Sequence, residues 1–194
     1  MKLQDIITSE VRARMLIEIF SETSKSLYVR EITRRVGTEI NAVRRELKRF
    51  VNAGIIKKEK RGNRLYYILR KDYPFYYELA SMVAKERGVG RKIIERQNNL
   101  GKVRMALLSM AFVEGRESEK NELDLLFVGQ INLDEANEIV KESGAEMKRE
   151  INYTVVGEEE FEYLKGRRDQ FLLSFLIAPN IILLGDADKY LNFV

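Results

Sequence analysis

The chain has 194 residues, 45% of them hydrophobic and 33% charged, which suits one large folded domain or two small ones and excludes a disordered composition. It has no Cys and no His. That excludes thiol catalysis, disulfides, zinc-finger sites, Ser-His triads and imidazole acid–base chemistry, and it restricts any metal to carboxylate ligands and so to a hard ion such as Mg²⁺. The net charge of +4 divides unevenly: residues 1–72 carry 18 basic and 9 acidic side chains, whereas residues 73–194 carry 16 and 21.

The chain opens MKLQDIITSEVRARM, which lacks the apolar core of a signal peptide. No apolar run approaches the ~20 residues needed to span a bilayer. A soluble, cytoplasmic protein with no membrane partner is therefore expected. Ser9 or Thr8 can cap a helix from Glu10 to Phe20, with Val11, Met15 and Ile19 along one face. Leu27-Tyr28 is short and extended. A second helix, Val29 to Val36, turns Ile32 and Val36 inward and stops at Gly37, because glycine readily takes the left-handed conformation after a helix. Thr38 then caps a third helix that runs to Ala53 and is closed by Gly54. Val43, Leu47, Phe50 and Val51 form its buried stripe, and Asn41, Arg44, Arg45 and Lys48 lie opposite. Ile55 to Lys60 and Leu65 to Leu69 read as two strands around Gly62-Asn63, a β-hairpin.

The segment LYVREITRRVGTEINAVRRELKRFVNAGIIKKEKRGNRLYYIL, residues 27–69, resembles the winged helix-turn-helix of ArsR-like regulators of archaea and bacteria. The marks are VREI-RR-G, the REL-RF-AGII helix exit and RGN-YY in the hairpin. The resemblance implies double-stranded DNA as partner, a dimer on two half-sites, and a role in transcription regulation. Its third helix would enter the major groove, where Arg pairs with guanine and Asn with adenine. Asn41, Arg44 and Arg45 are the candidates for base readout, and Ala42 for contact with a thymine methyl. Arg30, Thr38 and Lys48 would hold phosphates. Arg61, Asn63 and Arg64, at the tip of the wing, would reach backbone or minor groove. Glu46 is expected to face Arg49 or Arg30 rather than DNA.

Tyr73-Pro74 starts a connecting helix in which Phe75, Leu79, Met82 and Val83 repeat at helical spacing. This helix can pack within the chain or against a second subunit. Arg87 to Arg91 reads as a flexible joint and Lys92 to Leu100 as a helix. Beyond it, strands are expected at Val103 to Val113, Glu122 to Val128, Ile151 to Val156 and Asn180 to Leu184. Helices are expected at Asn132 to Ser143, Glu158 to Leu164 and Asp169 to Ile177. The expected class is α+β: a winged helix-turn-helix at 1–72, a helical connector at 73–99, and an α/β domain with a small mixed sheet at 100–194.

Residues 100–186 are similar to the minimal nucleotidyltransferases of the polymerase-β superfamily, through MAFVEGRESEKNELDLLFVG and the later INYTV, EEEF and P-x-I-x-L-x-GD. The family signature has a Gly-Ser turn for phosphates and two Asp at i and i+2 of a strand for Mg²⁺. Here Met110-Ala111 stands at the Gly-Ser and only Gly115 is kept. Asn121-Glu122-Leu123-Asp124 stands at Ser-Asp-x-Asp, and Asn152 occupies the third carboxylate position. The resemblance therefore implies a degenerate domain: no catalytic residue, no cofactor, and a vestigial site for nucleotide or Mg²⁺ at Gly115, Glu122 and Asp124 that could serve a nucleotide effector. An active Mg-dependent nucleotidyltransferase of the antitoxin-like kind is the alternative. The simplest role for Glu122 and Asp124 is ion pairing with Arg104, Arg116 or Lys120.

Overall fold

The computed structural model describes residues 3–23, 25–119 and 122–186. Lys120 and Asn121, with 187–194, lie outside the described residues. The fold mixes helix and sheet, with one three-stranded and one four-stranded sheet, in two compact units, Met1–Glu86 and Arg87–Val194.

In the first unit the described elements run α1 (Leu3–Ile6), α2 (Glu10–Phe20), β1 (Leu27–Tyr28), α3 (Val29–Val36), α4 (Ile40–Asn52), β2 (Ile56–Arg61), β3 (Arg64–Leu69) and α5 (Tyr76–Glu86). Ser9 caps α2, its hydroxyl accepting from the Arg12 amide. Gly37 takes φ +67° and turns the chain from α3 into α4. The residue capping α4 is Glu39, not Thr38, and it makes no side-chain cap bond. β3 lies between β1 and β2, antiparallel to both, and Arg61 pairs with Arg64 across the Gly62-Asn63 turn. The core gathers Met15, Phe20, Ile32, Val43, Leu47 and Ile56.

The connecting helix departs from its expected face. Tyr76, Ala80, Val83 and Ala84 are its buried residues, while Phe75 stands 60% exposed just before its first turn. Tyr76 sets this phase: its ring sits 5.8 Å from that of Phe20 and is fully buried. The expected connector is divided, α5 belonging to the first unit and the next helix to the second.

The second unit runs α6 (Gly88–Glu95), β4 (Gly101–Ser109), α7 (Met110–Val113), β5 (Leu125–Ile131), α8 (Leu133–Met147), β6 (Tyr153–Val156), α9 (Glu158–Gly166), α10 (Gln170–Ile177) and β7 (Asn180–Gly185). The expected joint at Arg87–Arg91 is instead the start of α6, with Val89 and Gly90 buried. The strand order is β6-β5-β4-β7, antiparallel except for the β5–β6 pair. Alternation along β4 and β5 sends Met105, Leu107, Leu126 and Val128 to one face, where Phe161 of α9 and Leu172 and Phe175 of α10 close over them.

β4 bulges at Arg104. Gly129 and Gly185 face that bulge from the strands on either side, and both have positive φ. Gly129 therefore does not end its strand, as expected, but lies inside it. A side chain there would collide with the Lys102 carbonyl. Leu133, expected inward, is 55% exposed at the first position of α8.

Candidate functional site

On α4 the buried residues Val43, Glu46, Leu47 and Phe50 fix which face turns outward. Asn41, Arg44, Arg45 and Lys48 are exposed there, and Ala42 is half-buried. Glu46 is only 6% exposed. The Arg12 Nε donates to it at 2.8 Å and Arg49 lies at 2.5 Å. Burial opposes its ionisation, but the hydrogen bonds and charges of Arg12 and Arg49 outweigh that and hold its carboxyl below the usual range. The expected Arg49 partner is present, and Arg12 of α2 takes the place expected for Arg30.

Most carboxylates of this unit are tied up away from the α4 face. Arg35 gathers Glu18, Glu22 and Glu31, and Glu10 pairs with Arg14. By contrast, Arg30, Arg44, Arg45 and Lys48 make no ion pair among the described residues. Arg44 only donates weakly to Asn41, at 3.5 Å. Arg44 also lies near Tyr67 of β3: burial pushes the Tyr67 hydroxyl up, and Arg44 opposes the shift. Thr38 is half-buried beside Gly37.

The hairpin adds charge. Lys57, Lys58 and Lys60 are exposed on β2, and Arg34 on α3. These four were not picked out from the sequence, although a run of Lys along a hairpin strand is a readable signal. Arg64 stacks over Tyr28 at 5.7 Å. Arg61 stacks over Tyr66 at 5.2 Å but also binds Glu59 at 2.9 Å and Ser26 at 3.1 Å. Arg61 is therefore held by a carboxylate, whereas Arg64 makes no ion pair among the described residues and Asn63 is exposed at the turn.

In the second unit Glu122 and Asp124 lie before β5 rather than on it. The strand begins at Leu125, so the two carboxylates expected at i and i+2 of it lie ahead of it, and Asp124 is buried. Its side chain is 1% exposed. One oxygen accepts from the Asn152 amide at 2.9 Å and the other from the Ser118 hydroxyl, with Arg149 at 3.9 Å. Arg149 donates to the Phe112 carbonyl at 3.1 Å and to that of Arg116, and stacks 4.2 Å over Phe112. Burial pulls its pKa down, against the pull of Asp124.

Glu122 turns elsewhere. It accepts from the Glu119 amide at 3.1 Å and pairs with Arg116 at 2.9 Å, contacts that lower its pKa in that order. Gly115 is exposed with φ +78° and nothing beside it. Met110 is buried and gives its amide to the Pro179 carbonyl at 2.9 Å. Glu122 and Asp124 thus take different partners, Arg116 for the one and Ser118, Asn152 and Arg149 for the other. No group of three or more carboxylates suited to a metal occurs among the described residues. No helix among them is long and apolar enough to cross a membrane.

No family model matches the chain, and no curated protein does. Among solved structures, that of human N-acetylserotonin methyltransferase in complex with SAM matches at 13% identity, over 59% of this chain and 35% of that one, with a TM-score of 0.31. This chain thus spans about a third of that protein's length. A likeness of that size carries no argument about fold or activity. The comparisons nevertheless correct the family reading. The resemblances to ArsR-like regulators and to minimal nucleotidyltransferases find no counterpart in the comparisons. The expectation of no cofactor finds no support in these comparisons: the structure matched is one in complex with SAM.

Proposed function

We propose that this chain binds double-stranded DNA through the exposed face of α4 and the turn of the β2–β3 hairpin. The reading rests on charge and geometry alone. The observation that carries it is the unequal pairing of charge: acidic side chains are held by Arg12, Arg14 and Arg35, while Arg30, Arg44, Arg45 and Lys48 are left without a carboxylate among the described residues. A polyanion is the natural complement of such a face.

The shape supports a duplex in particular. A helix of 13 residues is about 20 Å long and fits the major groove. In finer terms, α3, the Gly37 turn and α4 form a helix-turn-helix, and the hairpin is its wing. Asn41, Arg44 and Arg45 then read base edges, with Ala42 against a thymine methyl. Arg30, Thr38 and Lys48 hold phosphates. Arg64 and Asn63 reach the backbone beside the groove, and Arg61 joins them by exchanging Glu59 for a phosphate.

The test is fluorescence anisotropy with a random-sequence duplex and with duplexes selected from a randomised pool. The double variant Arg44→Ala/Arg45→Ala is expected to bind the selected duplex more weakly by about 2–4 kcal/mol, with sequence preference lost. Lys48→Ala should weaken all duplexes alike and lower the salt slope by about 1. Wild-type affinity in the double variant would overturn the assignment of α4.

A further inference from the structure

α9 and α10 carry large side chains that the core of the second unit leaves outward. Tyr163, Phe171 and Ile177 are 60%, 46% and 77% exposed. α10 reads QFLLSFLI, apolar on nearly every side. Such a helix belongs under cover all round, yet Phe171 and Ile177 stay exposed while Leu172 and Phe175 are buried and Leu173 and Leu176 half-buried.

The charges on this surface are sorted by sign. Glu159 and Glu160 lie in the first turn of α9, and Arg167 and Arg168 follow its last turn. None of the four makes an ion pair among the described residues. Glu159, Tyr163 and Arg167 are spaced i, i+4 and i+8, so they share one helix face with Tyr163 midway. Arg167 donates to the Tyr163 hydroxyl at 3.1 Å and lies 5.3 Å over its ring, which holds its charge on that face. A side chain added at Gly166, beside it, would meet nothing within 4 Å, which leaves room for close approach.

This pattern is complementary to itself when reversed. A two-fold axis at Tyr163 sets a second α9 antiparallel to the first. Glu159 of each copy then meets Arg167 of the other, Glu160 comes opposite Gly166 beside that same arginine, and α10, which packs beside α9, accompanies it to the interface. A parallel pairing would set like charges together. We propose that α9 and α10 form a two-fold interface between two copies of this chain. The occupant is a second copy because the charge order needs its own inverse, and the same helix supplies it.

The experiment is sedimentation velocity on the full chain without DNA, so its outcome is independent of the DNA-binding reading. The wild type is expected to run at twice the chain mass. Glu159→Lys/Glu160→Lys and Arg167→Glu/Arg168→Glu are each expected to associate at least ~10-fold more weakly, because like charges then face across the axis. Mixing the two should restore a dimer holding one of each. All four residues are at the surface, and thermal melting should show both variants folded. Three outcomes each overturn the proposal: a monomeric wild type, charge-reversed variants that each dimerise like the wild type, and a mixture that fails to form the mixed dimer.

Discussion

At the scale of residues, two buried carboxylates do different work from the exposed cations. Glu46 sits beneath the outward face of α4 and is clamped by Arg12 and Arg49. Its Arg12 partner is partly exposed, so solvent screening discounts the pair, and Glu46→Ala is expected to lower stability by about 1–2 kcal/mol in urea unfolding. The folded pKa lies below the usual 4.5, so the pair's contribution is complete above that value and is lost as the pH falls through the lowered one. Glu46→Gln should accordingly flatten the acid limb of the stability profile, and an unchanged limb would count against the clamp. Asp124 holds the Asn152 amide, the Ser118 hydroxyl and the Arg149 charge in the second unit. Asp124→Ala leaves a buried amide and a guanidinium uncompensated, and is expected to cost about 2–3 kcal/mol without altering duplex affinity. Loss of DNA binding with intact stability would show a different role for this carboxylate.

At the scale of elements, the sheet of the second unit depends on two glycines. Gly129 of β5 and Gly185 of β7 both press against the Arg104 bulge of β4, where a Cβ would meet backbone. Gly129→Ala adds a clash and a strained φ of +131° together, and is expected to lower stability by about 2 kcal/mol or more. Gly115→Ala, at φ +78° with open space around it, should cost about 1 kcal/mol. A comparison of their thermal midpoints separates clash from backbone strain. Elements governed by local signals are legible in the amino-acid sequence: the Ser9 cap, the Gly37 stop and the Gly62-Asn63 hairpin all read from a few neighbouring residues. Elements governed by tertiary contact are not. The phase of α5 follows from Tyr76 meeting Phe20, and the burial of Asp124 follows from its bonds to Asn152 and Ser118. The deciding contacts join residues that no local pattern connects. The cationic face of α4 can be read because helix periodicity separates it from the core stripe. Which of those cations are free cannot, since Arg61 looks as available as Arg64 until its pairing with Glu59 is seen.

At the scale of the whole molecule, charge is partitioned along the chain, basic over 1–72 and acidic beyond. The first unit leaves its cations outward on α4 and the hairpin. The second ties Lys92 and Arg96 of α6 to Glu142 of α8, and leaves the sign-sorted face of α9 outward. Duplex binding should therefore be strongly salt-dependent, with affinity falling by orders of magnitude between ~50 and ~200 mM salt if several phosphates are engaged. The most direct test of the DNA-binding claim is a titration of the isotope-labelled full chain with a selected duplex, followed by amide chemical shifts. If the duplex binds as proposed, shifts concentrate on Asn41, Arg44, Arg45 and Lys48 of α4, on Arg30, and on the turn at Gly62-Asn63. Shifts confined to the second unit, or none at low salt, would contradict it.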